Sequence, residues 1–338
     1  MSTLAEKVDQ TTIYIQPIHF TLAIITNLLN ICVLSTRTLR SSACTHYFLT
    51  FSFSSILYTC ILCPTQILRR YSILWINTSI GCKLNPYLLF VLPMQANLML
   101  TLAAFDRFCS SSTSIKLRAI SNVRIAQYFI VCTSLLCALY MLPMMFIYEF
   151  NSTLQLCVQL STMPTTVYAF SQIAIYYILA PVIMIIFGVL TILNIRRQLK
   201  RIQPIAGSSQ NRRTESQLAR MLIIQITIHM VISLPFGIIY LINTFIPSSR
   251  TLFIIGIRLI FVAWQQCDYF VPFFLYTLSG GVYREKLFRM FKIKSHEKNA
   301  IHTLTIKPPC ITQYGHSDRR KSALPVATAR LNTAVGEF

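Results

Sequence analysis

Charge is what this chain has least of. Asp, Glu, Lys and Arg make up 12% of its 338 residues against 54% hydrophobic ones, and with a mean hydropathy of +0.57 that balance excludes a soluble domain of this size. The apolar runs are unbroken rather than alternating, which argues against a β-barrel. No internal repeat is evident and only Asp268 is an acid deep within an apolar run, so the repeat symmetry and polar core of a transporter are missing. His229 stands alone in its run, and no metal-ligand spacing, nucleophile with a base, or intramembrane His or Asp pair appears. Neither an enzyme nor a cofactor is implied. Met1 to Thr12 carries Glu6, Lys7 and Asp9 and lacks the basic start and cleavage site of a signal peptide, so the first run is expected to insert uncleaved.

Seven apolar runs fill most of the chain: Thr12 to Thr36, Thr45 to Leu68, Cys82 to Ser110, Arg124 to Ile147, Thr166 to Ile195, Ser216 to Thr244 and Leu252 to Leu278. Each holds the ~17 to 25 apolar residues with which a helix crosses a bilayer. The expected fold class is an all-α integral membrane bundle of seven transmembrane helices. Its net charge of +20 is unevenly spread. Arg37, Arg40, Arg107, Lys116, Arg118, Arg124, the loop from Arg196 to Arg220 and the tail from Arg284 lie on one side. Lys7, Arg69, Arg70, Lys83, Arg250 and Arg258 lie on the other, a split of 24 against 6 of the 30 basic residues. The positive-inside rule then puts the N-terminus outside the cell and the tail in the cytosol, and explains the charge with no nucleic acid as partner.

Cysteine usage agrees with that topology. Only Cys82 and Cys157 of the 11 fall at the outer, oxidising edge, while Cys32, Cys60, Cys63, Cys132, Cys137 and Cys267 lie within spans and Cys44, Cys109 and Cys310 on the reducing side. One disulfide, Cys82 to Cys157, is expected. Cys82 opens the third run and Arg107 of Asp106-Arg107-Phe108 closes it 25 residues later, roughly 37 Å of helix. Asn77-Thr78-Ser79 and Asn151-Ser152-Thr153 are glycosylation sequons on the outer side.

The loop from Arg196 to Glu215 reads as helical extensions flanking a flexible middle around Pro204, Gly207, Ser208 and Ser209. Val282 to Lys292 sets Tyr283, Leu287, Phe288 and Phe291 among Arg284, Lys286, Arg289 and Lys292, the pattern of a short amphipathic helix on the inner leaflet. The chain thus divides into an outer N-terminus (1–11), a helical membrane domain (12–292) and a disordered cytoplasmic tail (293–338).

Several spacings together resemble those of a rhodopsin-like (class A) G-protein-coupled receptor, over about Thr12 to Phe291. Trp75 stands seven residues before Cys82, and Cys82 at the family's distance from Arg107. Asn27 matches the helix-1 asparagine. Pro181, Pro235 and the run Pro272-Phe273-Phe274-Leu275-Tyr276 fall where helices 5, 6 and 7 carry their prolines and inner tyrosine. Glu215, twenty residues before Pro235, matches the acid that begins helix 6. The Phe-Phe-Leu-Tyr form is similar to that of invertebrate neuropeptide receptors of the FMRFamide-receptor type. Departures are as marked: helix 2 lacks its acid, with Ser55 or Ile56 in its place, and helix 4 lacks its tryptophan. Val189 replaces the helix-5 tyrosine, Ser233 the helix-6 tryptophan, and Pro272 with Phe273 the Asn-Pro pair.

The resemblance implies a receptor in the plasma membrane that transmits extracellular ligand binding to a heterotrimeric G protein, with arrestin and kinases as partners of the tail and the lipid bilayer as solvent. Arg107 would contact the G protein, Asp106 would tune its charge, Glu215 would hold it closed by a charge-assisted pair, and Tyr276 would belong to the same coupling end. Pro181 and Pro235 are candidate hinges, because a proline in a span removes a backbone hydrogen bond. Asp268 either replaces the missing helix-2 acid as an ion site facing Asn27, or is protonated and hydrogen-bonded. Phe90, Phe236, Tyr240, Arg258 and Gln266 are the candidate ligand contacts. Leu89 where amine receptors carry aspartate, and Gln266 where a retinal lysine would sit, exclude a monoamine and light. The arginines of the outer face favour a peptide or a small anion. The altered helix-6 and helix-7 motifs leave a receptor-like protein that binds without coupling as the alternative, with a transporter behind it.

Overall fold

The computed structural model describes residues 4–70, 75–153, 156–160, 163–201, 209–246 and 251–290. Met1–Phe291 form one unit and Lys292–Phe338 a second, and the second, with the tail expected to be disordered, lies outside the described residues. Seven helices are long and apolar enough to cross a membrane: Gln10–Leu34, Ala43–Leu68, Ser79–Ser111, Val123–Ile147, Thr165–Arg197, Gln217–Asn243 and Leu252–Tyr269, here spans 1 to 7. The fold is a seven-helix membrane bundle. Span 2 buries half of its most apolar window and span 4 only 22%, so span 2 is central and span 4 peripheral. Span 4 accordingly leaves Tyr128, Val131, Leu135, Leu136 and Leu139 exposed, the side expected to face lipid chains.

The buried apolar core gathers toward the Arg107 end, where Phe48, Phe51, Met99, Leu100, Met184 and Leu222 interlock with Tyr276 and Tyr283. The helix expected after span 7 is present at residues 281–290, with Tyr283 and Leu287 one turn apart on its buried face and Arg284, Phe288 and Arg289 exposed. Phe291 and Lys292, assigned to the same helix from the sequence, lie outside the described residues. The helices flanking the long basic loop extend to Arg201 and begin again at Ser209, and residues 202–208 are outside the description.

An all-helical reading misses one element. Between spans 4 and 5, β1 (Tyr148–Asn151) pairs antiparallel with β2 (Leu156–Gln159), placing Phe150 opposite Cys157. Cys157 is disulfide-bonded to Cys82 near the start of span 3, which fastens this hairpin over that end of the bundle. Thr78 caps span 3, its hydroxyl accepting a hydrogen bond from Gly81 N at 3.0 Å. Gly81 is required by close approach, because a Cβ there would lie 2.0 Å from the Trp75 carbonyl oxygen.

Besides a turn at Leu142–Pro143 near the end of span 4, two spans are interrupted, both beside prolines. Span 7 runs as a helix to Gln266, tightens into a 3-10 turn at Cys267–Tyr269, and resumes at Val271. Pro272 cannot donate to the carbonyl four residues back and its ring crowds that oxygen, so a regular helix cannot pass through. Span 5 widens into a π-helix over Ala174–Leu179 immediately before Pro181. In each break an asparagine from a neighbouring span donates to a backbone carbonyl. Asn27 Nδ2 reaches Tyr269 O at 2.6 Å, and Asn97 Nδ2 reaches Tyr176 O at 3.1 Å. Without water in the bilayer core such side-chain donors are what make broken helices tolerable.

Candidate functional site

Phe90, Phe236, Tyr240 and Arg258 all line one cavity of about 200 Å³ in the half of the bundle nearer the disulfide. Five of the lining side chains are tyrosines, Arg258 is the one charged group among them, and no lining residue is acidic. Tyr177, Phe236 and Tyr240 form a continuous aromatic wall, with ring centroids 6.2 Å and 5.9 Å apart. Arg258, Val262, Gln265 and Tyr269 reach the cavity from span 7 at helical spacing, one stripe of the helix. Gln266, expected among the ligand contacts, is one residue off that stripe. Its Oε1 lies instead 2.9 Å from His19 Nδ1 of span 1, and Gln265 takes the cavity position. At the rim, burial pushes the Tyr148 phenol of β1 up to about 12, with Tyr240 adding to the rise and the Arg258 charge opposing it. The start of the hairpin therefore lies within electrostatic range of Arg258.

Below the cavity, Asp268 is 6% exposed and His229 2%. The ring of His229 in span 6 places Nδ1 2.7 Å from Asp268 Oδ2, and Ser233 Oγ is 3.5 Å from the same nitrogen. The sequence reading saw two isolated groups, and the fold brings them together. Asn27, the expected companion of Asp268, turns its amide to the carbonyls of Ala23 and Tyr269, and the Asp268 carboxylate is engaged by His229.

At the opposite end of span 3, Arg107 is 2% exposed. Its guanidinium donates to Asp106 Oδ2 from Nη2 at 2.6 Å and from Nε at 3.1 Å, and to Ser42 Oγ at 3.1 Å. Ser121 donates to the other carboxylate oxygen of Asp106 at 2.8 Å. Span 3 is thus tied to the turn before span 2 and to the loop before span 4. Glu215 lies on the helix Ser209–Phe245, but its side chain is outside the described residues, as is its expected pairing with Arg107. Tyr276 is fully buried, donates to Gln225 Oε1 of span 6, and packs against Phe48 at 5.2 Å and Tyr283 at 5.8 Å. Tyr283 in turn donates to Asn30 Oδ1 at 2.7 Å, which anchors the amphipathic helix to span 1. Pro235 lies inside span 6, one residue before Phe236 of the cavity wall.

Both sequons lie at the disulfide end. Asn77 accepts from Cys157 N at 3.3 Å and is half-buried. Asn151 ends β1, and its Oδ1 accepts from both the backbone and the hydroxyl of Thr153, at 2.9 Å and 2.8 Å. The residues that sequence reasoning missed are His229 as partner of Asp268, Asn97, the serines 42 and 121, and Gln172 and Gln265 of the cavity. The legible signal for the first was that Asp268 is a costly group deep in an apolar run.

No curated protein matches the chain. Residues 26–280 match the family described as 7 transmembrane receptor (rhodopsin family), three quarters of the sequence including the cavity, the Asp268 site and the Arg107 end. The chain belongs to the rhodopsin family of seven-transmembrane receptors and is a multi-pass membrane protein.

Proposed function

We propose that this receptor sits in the plasma membrane with its N-terminus outside, binds an extracellular ligand in the tyrosine-lined cavity, and activates a heterotrimeric G protein through Arg107. The observation that carries the reading is a single helix serving both ends. Span 3 contributes Phe90, Pro93 and Met94 to the cavity and Asp106 and Arg107 to the opposite network, 17 residues and roughly 25 Å from Phe90. A ligand pressing on Phe236 and Tyr240 acts on span 6 within about one and a half turns of Pro235, and on span 5 through Tyr177, inside the π-helix and near Pro181. Prolines and π segments are where helices bend, so the inner ends of spans 5 and 6 swing away from span 3. That motion strains the Tyr276 to Gln225 contact, and Arg107 leaves Asp106 and Ser42 for the G protein.

A peptide is the favoured ligand. The cavity is small for a whole messenger, since a cavity of roughly 150 Å³ holds one benzene, so a larger ligand must rest its remainder on the β1–β2 hairpin. Arrestin and kinases acting at the tail belong to the same reading. The second reading, binding without coupling, draws support from the His229 and Asp268 contact that joins spans 6 and 7, together with Ser233 where a bulky side chain is usual. Nucleotide exchange on purified G-protein heterotrimers by the reconstituted chain decides between them. Exchange above that of empty membranes, lost in Arg107→Ala, is expected; exchange no faster than the empty control in basal conditions and across a neuropeptide library would favour the non-coupling form.

A further inference from the structure

The cavity has a polar inventory that constrains what can occupy it. Arg258 is its fixed cation, and among the described residues no carboxylate lies within ion-pair distance of the guanidinium. Asp268, an acid that could attract a positive ligand, is engaged by His229 and does not line the cavity. Gln172 is 5% exposed, its Nε2 donates to Met141 Sδ at 3.3 Å, and its Oε1 is closed off from the cavity. Apart from Gln265, the remaining wall is aromatic and apolar, and the cavity's volume of about 200 Å³ suits one ring with a short polar attachment.

Resting on the reading that this cavity is the ligand site, we propose that it takes a carboxylate-bearing apolar group of about one ring's size, with Arg258 binding the carboxylate. A guanidinium and a carboxylate form a bidentate, charge-assisted contact that an amide or amine cannot reproduce. The C-terminal residue of a peptide with a free carboxylate has both features: an apolar side chain and an anion. A small N-acylated amino acid has them too. Both sources share one chemistry, and that chemistry excludes a C-terminally amidated peptide as the preferred occupant.

The test is thermal unfolding of the full chain in lipid nanodiscs, titrated with N-acetylphenylalanine, N-acetylphenylalaninamide, phenethylamine and 3-phenylpropionate. The acid is expected to bind about tenfold or more tighter than its amide, as a charged hydrogen bond implies, and the amine to have no effect. Arg258→Gln should abolish that preference and Arg258→Lys retain part of it; the pair controls for general damage, since the side chain is exposed. 3-Phenylpropionate, which keeps the ring and the carboxylate, should also bind, and Arg258→Gln should remove its binding. A tetraglycyl-phenylalanine acid that binds more tightly than N-acetylphenylalanine assigns the source to a peptide C-terminus, and the reverse order to a free small acid. Equal binding of acid and amide, stabilisation by the amine, undiminished acid preference in Arg258→Gln, or no stabilisation by any probe overturns the proposal. No G protein enters these measurements, so a chain that fails to couple leaves the proposal standing, and one that couples without preferring the acid refutes the proposal alone.

Discussion

His229 of span 6 and Asp268 of span 7 form a hydrogen-bonded acid-base pair inside the bundle, with 2.7 Å between Nδ1 and Oδ2 and both side chains buried. The pair lies six residues from Pro235 along one helix and four from Pro272 along the other. It explains how a carboxyl is kept in an apolar span at all: its partner comes from the same chain.

Breaking one side of such a pair strands the other in a low-dielectric site, which costs about 3–5 kcal/mol, whereas replacing both with apolar side chains is often neutral. His229→Leu and Asp268→Leu should each lower the Tm and surface expression markedly, and His229→Leu/Asp268→Leu should recover most of the loss. Additive losses in the double variant would show that the two groups act separately. The same contact predicts that exchanging sodium for N-methylglucamine leaves the Tm and agonist affinity of the wild type unchanged, since the carboxylate is engaged by an imidazole. A sodium-dependent shift abolished by Asp268→Asn would restore the ion-site interpretation.

The Arg107 network gives a prediction with two signs. Arg107→Ala should abolish G-protein activation while ligand binding persists, because the arginine is at the far end of span 3 from the cavity. Asp106→Asn, which removes the anion holding the guanidinium, and Glu215→Ala should raise basal nucleotide exchange. Unchanged basal exchange in both, with surface expression normal, would leave these groups as interfacial anchors.

Cys82 and Cys157 should be recovered as one linked peptide pair in non-reducing mapping of surface-expressed protein. The linkage closes a loop of 75 residues, so replacing either cysteine by serine should destabilise by about 2–4 kcal/mol, read as a lower Tm. Alkylation of both thiols in the native protein would contradict the linkage.

Seven spans, the short helix after them and the outer thiols were legible because each rests on a one-dimensional signal: an apolar run of sufficient length, a basic flank, or position relative to an edge. The hairpin was not, because Tyr148–Asn151 and Leu156–Gln159 are four-residue strands between two strong helical patterns, fixed by a disulfide to a distant span. Phe236 and Tyr240 were expected as substitutes for the missing helix-6 tryptophan and Arg258 as an outer-face arginine, and the fold gathers them with Phe90 around one cavity. Gln266, expected from family position, shows the limit of such a reading. One residue is 100° of helix, and the 3-10 turn that follows at Cys267 gives no register signal in the sequence. His229 with Asp268, and Asn97 with Tyr176, are contacts between spans whose rotation about their own axes the apolar runs leave undetermined.

The last of these contacts carries its own test. In the π-helix of span 5 the N–H of Ala180 reaches back five residues to Ile175 O, and by that register the next donor to Tyr176 O would be residue 181. Residue 181 is proline and has no N–H, so the Tyr176 carbonyl is orphaned by the backbone, and Asn97 of span 3, 1% exposed, supplies the missing donor at 3.1 Å. Asn97→Leu should therefore leave a buried carbonyl unpaired and cost about 1–3 kcal/mol. Pro181→Ala returns an N–H at the position that needs one and lets the wide turn relax toward a regular helix, so it should lessen the damage of Asn97→Leu. The double-mutant cycle, read as Tm in nanodiscs, should show a coupling of at least about 1 kcal/mol between two residues on different spans. Strictly additive effects would mean that Asn97 and Pro181 contribute independently, and that the wide turn in span 5 is held by the packing of Tyr176 and Tyr177 rather than by the borrowed donor.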